Sequence, residues 1–174
     1  NYWRASTDND KKESVDAKWK TANENVQIDE VSVNKENKVV YVSVARTLKN
    51  CADSKDRITY AIYANGEIVV KATMAPNSNM SNLQRVGTRL QLAAGLDNLT
   101  WYGRGESDSY SDRKTGYDVG VWNSTVDEQF TNYVYAQETG NKTDVRWMAV
   151  TDADGDGLLV DAQDHLLEMS ALNC

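Results

Sequence analysis

The chain has 174 residues, of which 40 % are hydrophobic and 26 % charged, with a formal net charge of −7. That length suits one domain with a real core, and the charge argues against nucleic acid or an anionic membrane as partner, since both call for a positive face. No apolar run reaches the length of a membrane span, and the opening "NYWRASTDND" lacks the basic and apolar regions of a signal peptide, so it reads as a mature or a cut N-terminus.

In chain order, residues 10–22 ("DKKESVDAKWKTA") predict the one helix before the C-terminus, with Asp10 or Ser14 as its cap and Val15 and Trp19 on its buried face. Strands follow. "VQIDEVSV" (26–33) and "KVVYVSVARTL" (38–48) alternate and are rich in β-branched residues. "RITYAIYANGEIVVKATM" (57–74) reads as a hairpin, with Asn65-Gly66 in a two-residue type I′ turn. Further strands are expected over 86–93, 99–103, 119–126 and 143–162, with a loop over 104–118 and a segment open between strand and helix at 165–172. Short, regularly spaced strands with turn signals predict an all-β fold, a large antiparallel β-sandwich, in a single domain over 1–174.

The composition carries two further signals. Five Trp and nine Tyr stand against one Phe, a balance that suits sheet packing and also the faces of sugars. There is one proline, where ordinary usage gives about nine. Cys51 and Cys174 are too few and too far apart for a disulfide framework and read as free thiols.

"DADGDGLLVDAQ" (152–163) places Asp152, Asp154, Asp156 and Gly157 at positions 1, 3, 5 and 6 of a calcium loop. Position 12 is Gln163 rather than Glu, and the flanks read as strands, so a tight hairpin turn explains the same residues without a metal. His165 is the only histidine, which rules out a multi-histidine metal site, and no G-x-S-x-G elbow marks a nucleophilic serine. Sequons at Asn98, Asn123 and Asn141 matter only in a glycosylating pathway. "LTWYGRGESDSYSDRKTG" (99–116) has the polar density of an active site.

Three segments taken together resemble one family. "NYWRASTDND" is similar to the N-[FY]-W-R-A-P-T-D-N-D signature of glycoside hydrolase family 2 β-galactosidases. "AAGLDNLTWYGRGESDSYSDRKTG" is similar to that family's P-A-G-F-x-N-x-x-W-Y-G-R-G-P-x-E-N-Y-x-D-R-K-x-G. "VDEQFTNYVYAQETGNKTDVRWMAVTDADGDGLLV" is similar to its V-D-E-Q-Y-x-P-Y-x-x-P-Q-E-N-G-x-x-x-D-V-R-W stretch. The hairpin and "NLQRVGTRLQL" fit between them, so the resemblance runs from Asn1 to about Ser170.

The resemblance implies a piece of the C-terminal, small-chain domain: a galactose-mutarotase-like supersandwich, truncated at both ends and not itself catalytic. The family's catalytic glutamates and main metal sites lie in a separate barrel, so no cofactor is expected in this chain. Its partners would be the other domains of the enzyme, with the β-galactoside bound only in the intact protein, in the cytoplasm or periplasm. A mobile loop after the signature closes toward the sugar, which would make Asp8, Asn9, Asp10, Lys11, Lys12, Glu13 and Ser14 substrate-adjacent. The 99–116 stretch becomes a structured loop, with Trp101, Arg104, Tyr110, Asp112 and Arg113 fixing its geometry as buried or half-buried partners. Family prolines are replaced at Ser6, Gln84, Ala93, Glu106, Asn132 and Ala136, and Asp108 and Ser109 stand where the family has Glu and Asn. Competing readings are a free-standing carbohydrate-binding sandwich and, with only His165 to serve as acid or base, an aldose-epimerase-type enzyme.

Overall fold

The computed structural model describes residues 1–8, 10, 17–135 and 137–173. Its strands are antiparallel to their neighbours, and among the described residues the only helical segments are short 3-10 turns, so the all-β class expected from the alternating runs is what the chain adopts. The chain divides into two compact units, Asn1–Arg89 and Leu90–Cys174.

The first unit holds β1 (Val26–Glu36), β2 (Val39–Leu48), β3 (Ser54–Ile62) and β4 (Ile68–Ala75), paired in that order as a meander. Register puts Val31, Val44, Ile58 and Ala72 side by side on one face. The period-two alternation of the sequence makes that face apolar and the other polar. At its Leu48 end the sheet is covered by a cluster of Tyr2, Trp19, Ala22, Leu48 and Cys51, in which Trp19 is 1 % exposed. Trp19 lies in a 3-10 turn, Ala17–Thr21, and its indole N–H donates to the Ser81 carbonyl. This is the described part of the helix expected over 10–22; Val15 and Ser14 lie outside the described residues. The Cys51 thiol is buried and donates to the Lys18 carbonyl at 3.4 Å, and Cys174 lies outside the described residues.

The hairpin between β3 and β4 is where it was expected, but its turn is not type I′. The Tyr63 N–H donates to the Glu67 carbonyl and the Gly66 N–H to the Tyr63 carbonyl, so three residues make the loop. Only Gly66 has positive φ, at 90°, and Asn65 does not. This is a type I turn closed by a glycine bulge, and the Asn65 carboxamide oxygen instead accepts the Glu67 N–H.

Residues 86–93 form no strand, against expectation. Their alternation is real, yet no second strand lies beside them among the described residues, and Val86 and Leu90 are each 60 % exposed. A strand is defined by its ladder, and alternation alone does not supply one.

The second unit holds β5 (Asn98–Arg104), β6 (Val119–Thr125), β7 (Lys142–Val145), β8 (Trp147–Thr151), β9 (Gly157–Asp161) and β10 (Leu167–Met169). One sheet runs β6-β5-β8-β9 and the other pairs β10 with β7. Leu99 and Trp101 of β5, Met148 and Val150 of β8 and Val145 of β7 form its core, with Met169 of β10 against them. The 165–172 segment, open between strand and helix, is therefore a strand over Leu167–Met169.

Candidate functional site

Arg4 and Asp10 close the N-terminal signature on itself. The Arg4 guanidinium lies 2.5 Å from the Asp10 carboxylate, which also accepts the Thr7 N–H at 2.7 Å and the Thr7 hydroxyl at 3.0 Å. Burial would push the Asp10 carboxyl up, but the hydrogen bonds from Arg4 and Thr7 outweigh it and hold the group below the ordinary carboxylate range. Asp8 sits half-buried in the same turn. Asn9, Lys11, Lys12, Glu13 and Ser14, the rest of the expected substrate-adjacent loop, lie outside the described residues.

Beside this segment stands a buried network that the sequence reading missed. Arg46 of β2 and Asp56 of β3 are directly opposite in register. The guanidinium donates to both carboxylate oxygens, at 2.8 and 2.5 Å, and the Tyr2 hydroxyl donates to the same group at 2.5 Å. The Asp56 side chain has no exposed area. Burial, then the hydrogen bond to Asp56, raises the Tyr2 phenol, which therefore stays protonated. A signal was present. Val40, Val42, Val44 and Arg46 continue one alternation, as do Asp56, Ile58, Tyr60 and Ile62, so each charge occupies a position where the pattern calls for an apolar side chain.

The loop after β5 is a lattice of fixed polar contacts. Arg104 donates to Asp144 at 2.5 Å and to the carbonyls of Tyr117 and Lys114, at 2.7 and 3.3 Å, the forked use expected of it. Lys114 reaches the other Asp144 oxygen at 2.8 Å. The hydrogen bonds from Lys114 and Arg104 hold the Asp144 carboxyl below its ordinary value. Trp101 is fully buried, its N–H donates to the Arg104 carbonyl at 3.2 Å, and the Lys142 ammonium lies 4.7 Å from its ring centroid. Burial lowers the Lys142 pKa, with the Asp108 charge opposing.

Tyr110 and Arg113 exchange backbone hydrogen bonds around Ser111 and Asp112. That places Asp112 at the tip of a tight turn, exposed and without a side-chain hydrogen bond among the described residues. The partner role expected of Asp112 falls to Asp108, which is 8 % exposed and accepts from the Tyr133 hydroxyl at 2.7 Å, Arg113 at 3.3 Å and the Tyr110 hydroxyl at 3.3 Å. The Tyr110 hydroxyl also lies close to the Glu138 carbonyl. Ser109 is fully buried and satisfied: its hydroxyl pairs with Thr143 at 2.8 Å, and its backbone exchanges bonds with Asn141. Asn141 is therefore a sequon asparagine that is buried and engaged.

Asp152, Asp154 and Asp156 form a turn that repeats the first hairpin. The Asp152 N–H donates to the Asp156 carbonyl and the Gly155 N–H to the Asp152 carbonyl, and Gly155 has φ 90°. The Asp152 carboxylate accepts the N–H groups of Asp154 and Asp156, both at 2.9 Å. Among the described residues no group of three or more His, Cys, Asp or Glu side chains is placed to hold a metal ion. His165 is exposed in the turn between β9 and β10.

The profile of the β-galactosidase small chain matches residues 1–174, the whole of the sequence. The chain belongs to the β-galactosidase small-chain family. Among curated relatives, a β-galactosidase of Priestia megaterium is 37 % identical over 92 % of this chain. Those of Lactobacillus delbrueckii subsp. bulgaricus and Streptococcus thermophilus are 32 % and 29 % identical over 98 % of it. The chain spans only 16 to 17 % of the length of these β-galactosidases.

Proposed function

We propose that this small-chain region is a non-catalytic part of a β-galactosidase that hydrolyses terminal β-galactosides, and that its N-terminal segment completes the sugar site of the intact enzyme. The observation that carries the reading is the Arg4–Thr7–Asp10 clamp, which fixes the entry of the expected loop and its Asp10. A loop that closes over a sugar needs a rigid base on which to move, and it contributes by excluding water and orienting substrate.

Chemistry favours a supporting role over a catalytic one. Retaining hydrolysis uses two carboxyls roughly 5 Å apart, one of them with a raised pKa so that it can donate a proton. The two buried acids among the described residues, Asp56 and Asp108, are each engaged by an arginine and tyrosine hydroxyls. Asp10 and Asp144 are pulled down rather than up. On this reading the nucleophile, the acid and any metal ions belong to other parts of the enzyme.

The test is Asp10→Ala in the intact enzyme. Turnover of a chromogenic β-galactoside should fall at least tenfold while thermal unfolding of the rest of the protein is unchanged. Full turnover in that variant would remove the active-site-completing role.

A further inference from the structure

The segment that follows Leu83 poses a structural problem. Its residues alternate as a strand should, with Val86, Thr88, Leu90 and Leu92 on one side and Gly87, Arg89 and Gln91 on the other. Leu90 is 60 % and Leu92 39 % exposed. No backbone hydrogen bond is made by residues 88–93 among the described residues.

One rung of a ladder is nevertheless in place. The Gly87 N–H donates to the Asn1 carbonyl at 3.0 Å, and the Asn1 nitrogen donates to the Gly87 carbonyl at 2.6 Å. Two residues that exchange both bonds are a hydrogen-bonded pair of an antiparallel ladder. Direction then follows from geometry. An antiparallel ladder through this pair, continued backward from Asn1, would pass Thr88, Arg89 and Leu90 in turn.

We propose that in the intact β-galactosidase the chain leading into Asn1 is an antiparallel strand laid along residues 88–92. The Asn1–Gly87 pair fixes its register. The residue directly before Asn1 lies opposite Thr88 in a non-hydrogen-bonded pair, and the second residue before Asn1 exchanges hydrogen bonds with Arg89. The third and fifth residues before it lie opposite Leu90 and Leu92 and share their face. This rests on the reading that the chain is a stretch of a longer β-galactosidase, but not on any role of the loop after Asp10. The surface is an edge awaiting a strand, the kind of backbone that strand addition satisfies. The occupant is the enzyme's own preceding segment because the first rung is already laid by Asn1 and leads nowhere else. A second copy of this chain would have to displace that rung.

Two measurements test the pairing. The first is amide hydrogen exchange on the intact enzyme. The amides of Arg89 and Gln91 should exchange at least tenfold more slowly than those of Thr88 and Leu90. Equal exchange at all four, or slower exchange at Thr88 and Leu90 instead, overturns the proposal.

The second is a cysteine pair in the intact enzyme, Thr88→Cys with the residue before Asn1 also changed to Cys. Facing positions of that type have Cα atoms about 4.5 Å apart, within disulfide reach. Oxidation should link them, and shifting the partner by one residue should abolish the link. No link in an enzyme with normal turnover overturns the register. Lost turnover in Asp10→Ala with the link intact leaves this proposal standing, and the converse result sinks it alone.

Discussion

Asp56 and Asp144 are both carboxylates held by an arginine, but they are placed by different means. Asp56 sits within a strand, opposite Arg46 by register, and its side chain is wholly enclosed. Asp144 sits in the short β7 with φ 52°, 15 % exposed, and is gripped by Arg104 and Lys114, both of which also bind or belong to the irregular segment after β5. In the first case the sheet ladder sets Arg46 opposite Asp56, and the Tyr2 hydroxyl completes the set. In the second no ladder pairs β5 with β7, so Arg104 and Lys114 reach Asp144 by side-chain contacts alone. The turn at Asp152–Asp156 is as acidic as either region, yet its charges face solvent and its carboxylate receives only backbone N–H groups. Charge density in the sequence therefore does not separate these three regions. Burial and cationic partners do.

The strand-borne pair should be the more sensitive. Asp56→Ala leaves the Arg46 guanidinium facing a buried gap, and breaking a buried ion pair on one side costs about 3–5 kcal/mol. Denaturant unfolding of the chain should register that loss. A cost below about 1 kcal/mol would mean that the pair is solvated and the contrast with Asp144 is lost.

Asp144→Asn should cost less, about 1–3 kcal/mol, the worth of hydrogen bonds to a charged group. It should also change the pH profile. The folded pKa of Asp144 lies below its ordinary 3.8. Its contribution is therefore complete above about pH 5 and is lost as pH falls through the folded value. The Asn variant should show its deficit at pH 7 and converge on the parent as the pH falls below the lowered folded pKa of Asp144. A constant deficit across that range would show that the ionic contacts are not what Asp144 supplies.

The smallest expected effects concern the turns. Gly66 and Gly155 occupy the same place in the same hydrogen-bonding pattern, and both have φ 90°. No atom lies within 4 Å of where a Cβ would be at either position, so strain alone is at stake. Gly66→Val and Gly155→Val should each cost about 1–2 kcal/mol, and by similar amounts. A much larger loss for Gly155→Val, together with stabilisation of the parent by calcium, would show that the acidic turn has a second role as an ion site.

Much of this was legible in the sequence. The alternation of "KVVYVSVARTL" and "RITYAIY" marked both as strands, because side-chain direction in a strand has period two. The hairpin position followed from Asn65-Gly66, but its type did not, since one residue with positive φ serves a three-residue loop as well as two serve a two-residue one. Residues 86–93 read as a strand because alternation records a face and not a partner. The loop site was less legible. Arg104 lies half-buried as a partner in the loop, but Arg113 is exposed and Asp112 points outward, because the two-residue turn between Tyr110 and Arg113 leaves no mark in residue type. Arg46 and Asp56 were visible as breaks in an apolar alternation.

The proposed role, in which this chain supports hydrolysis without performing it, stands or falls on one result. The direct measurement is turnover of a chromogenic β-galactoside by the purified 174-residue chain, prepared in a host that lacks the enzyme. No hydrolysis above the rate in buffer is expected, because Asp10 and Asp144 are held below the ordinary carboxylate range and the buried Asp56 and Asp108 are engaged by arginine and tyrosine side chains. Saturable hydrolysis that follows the chain through purification would contradict it.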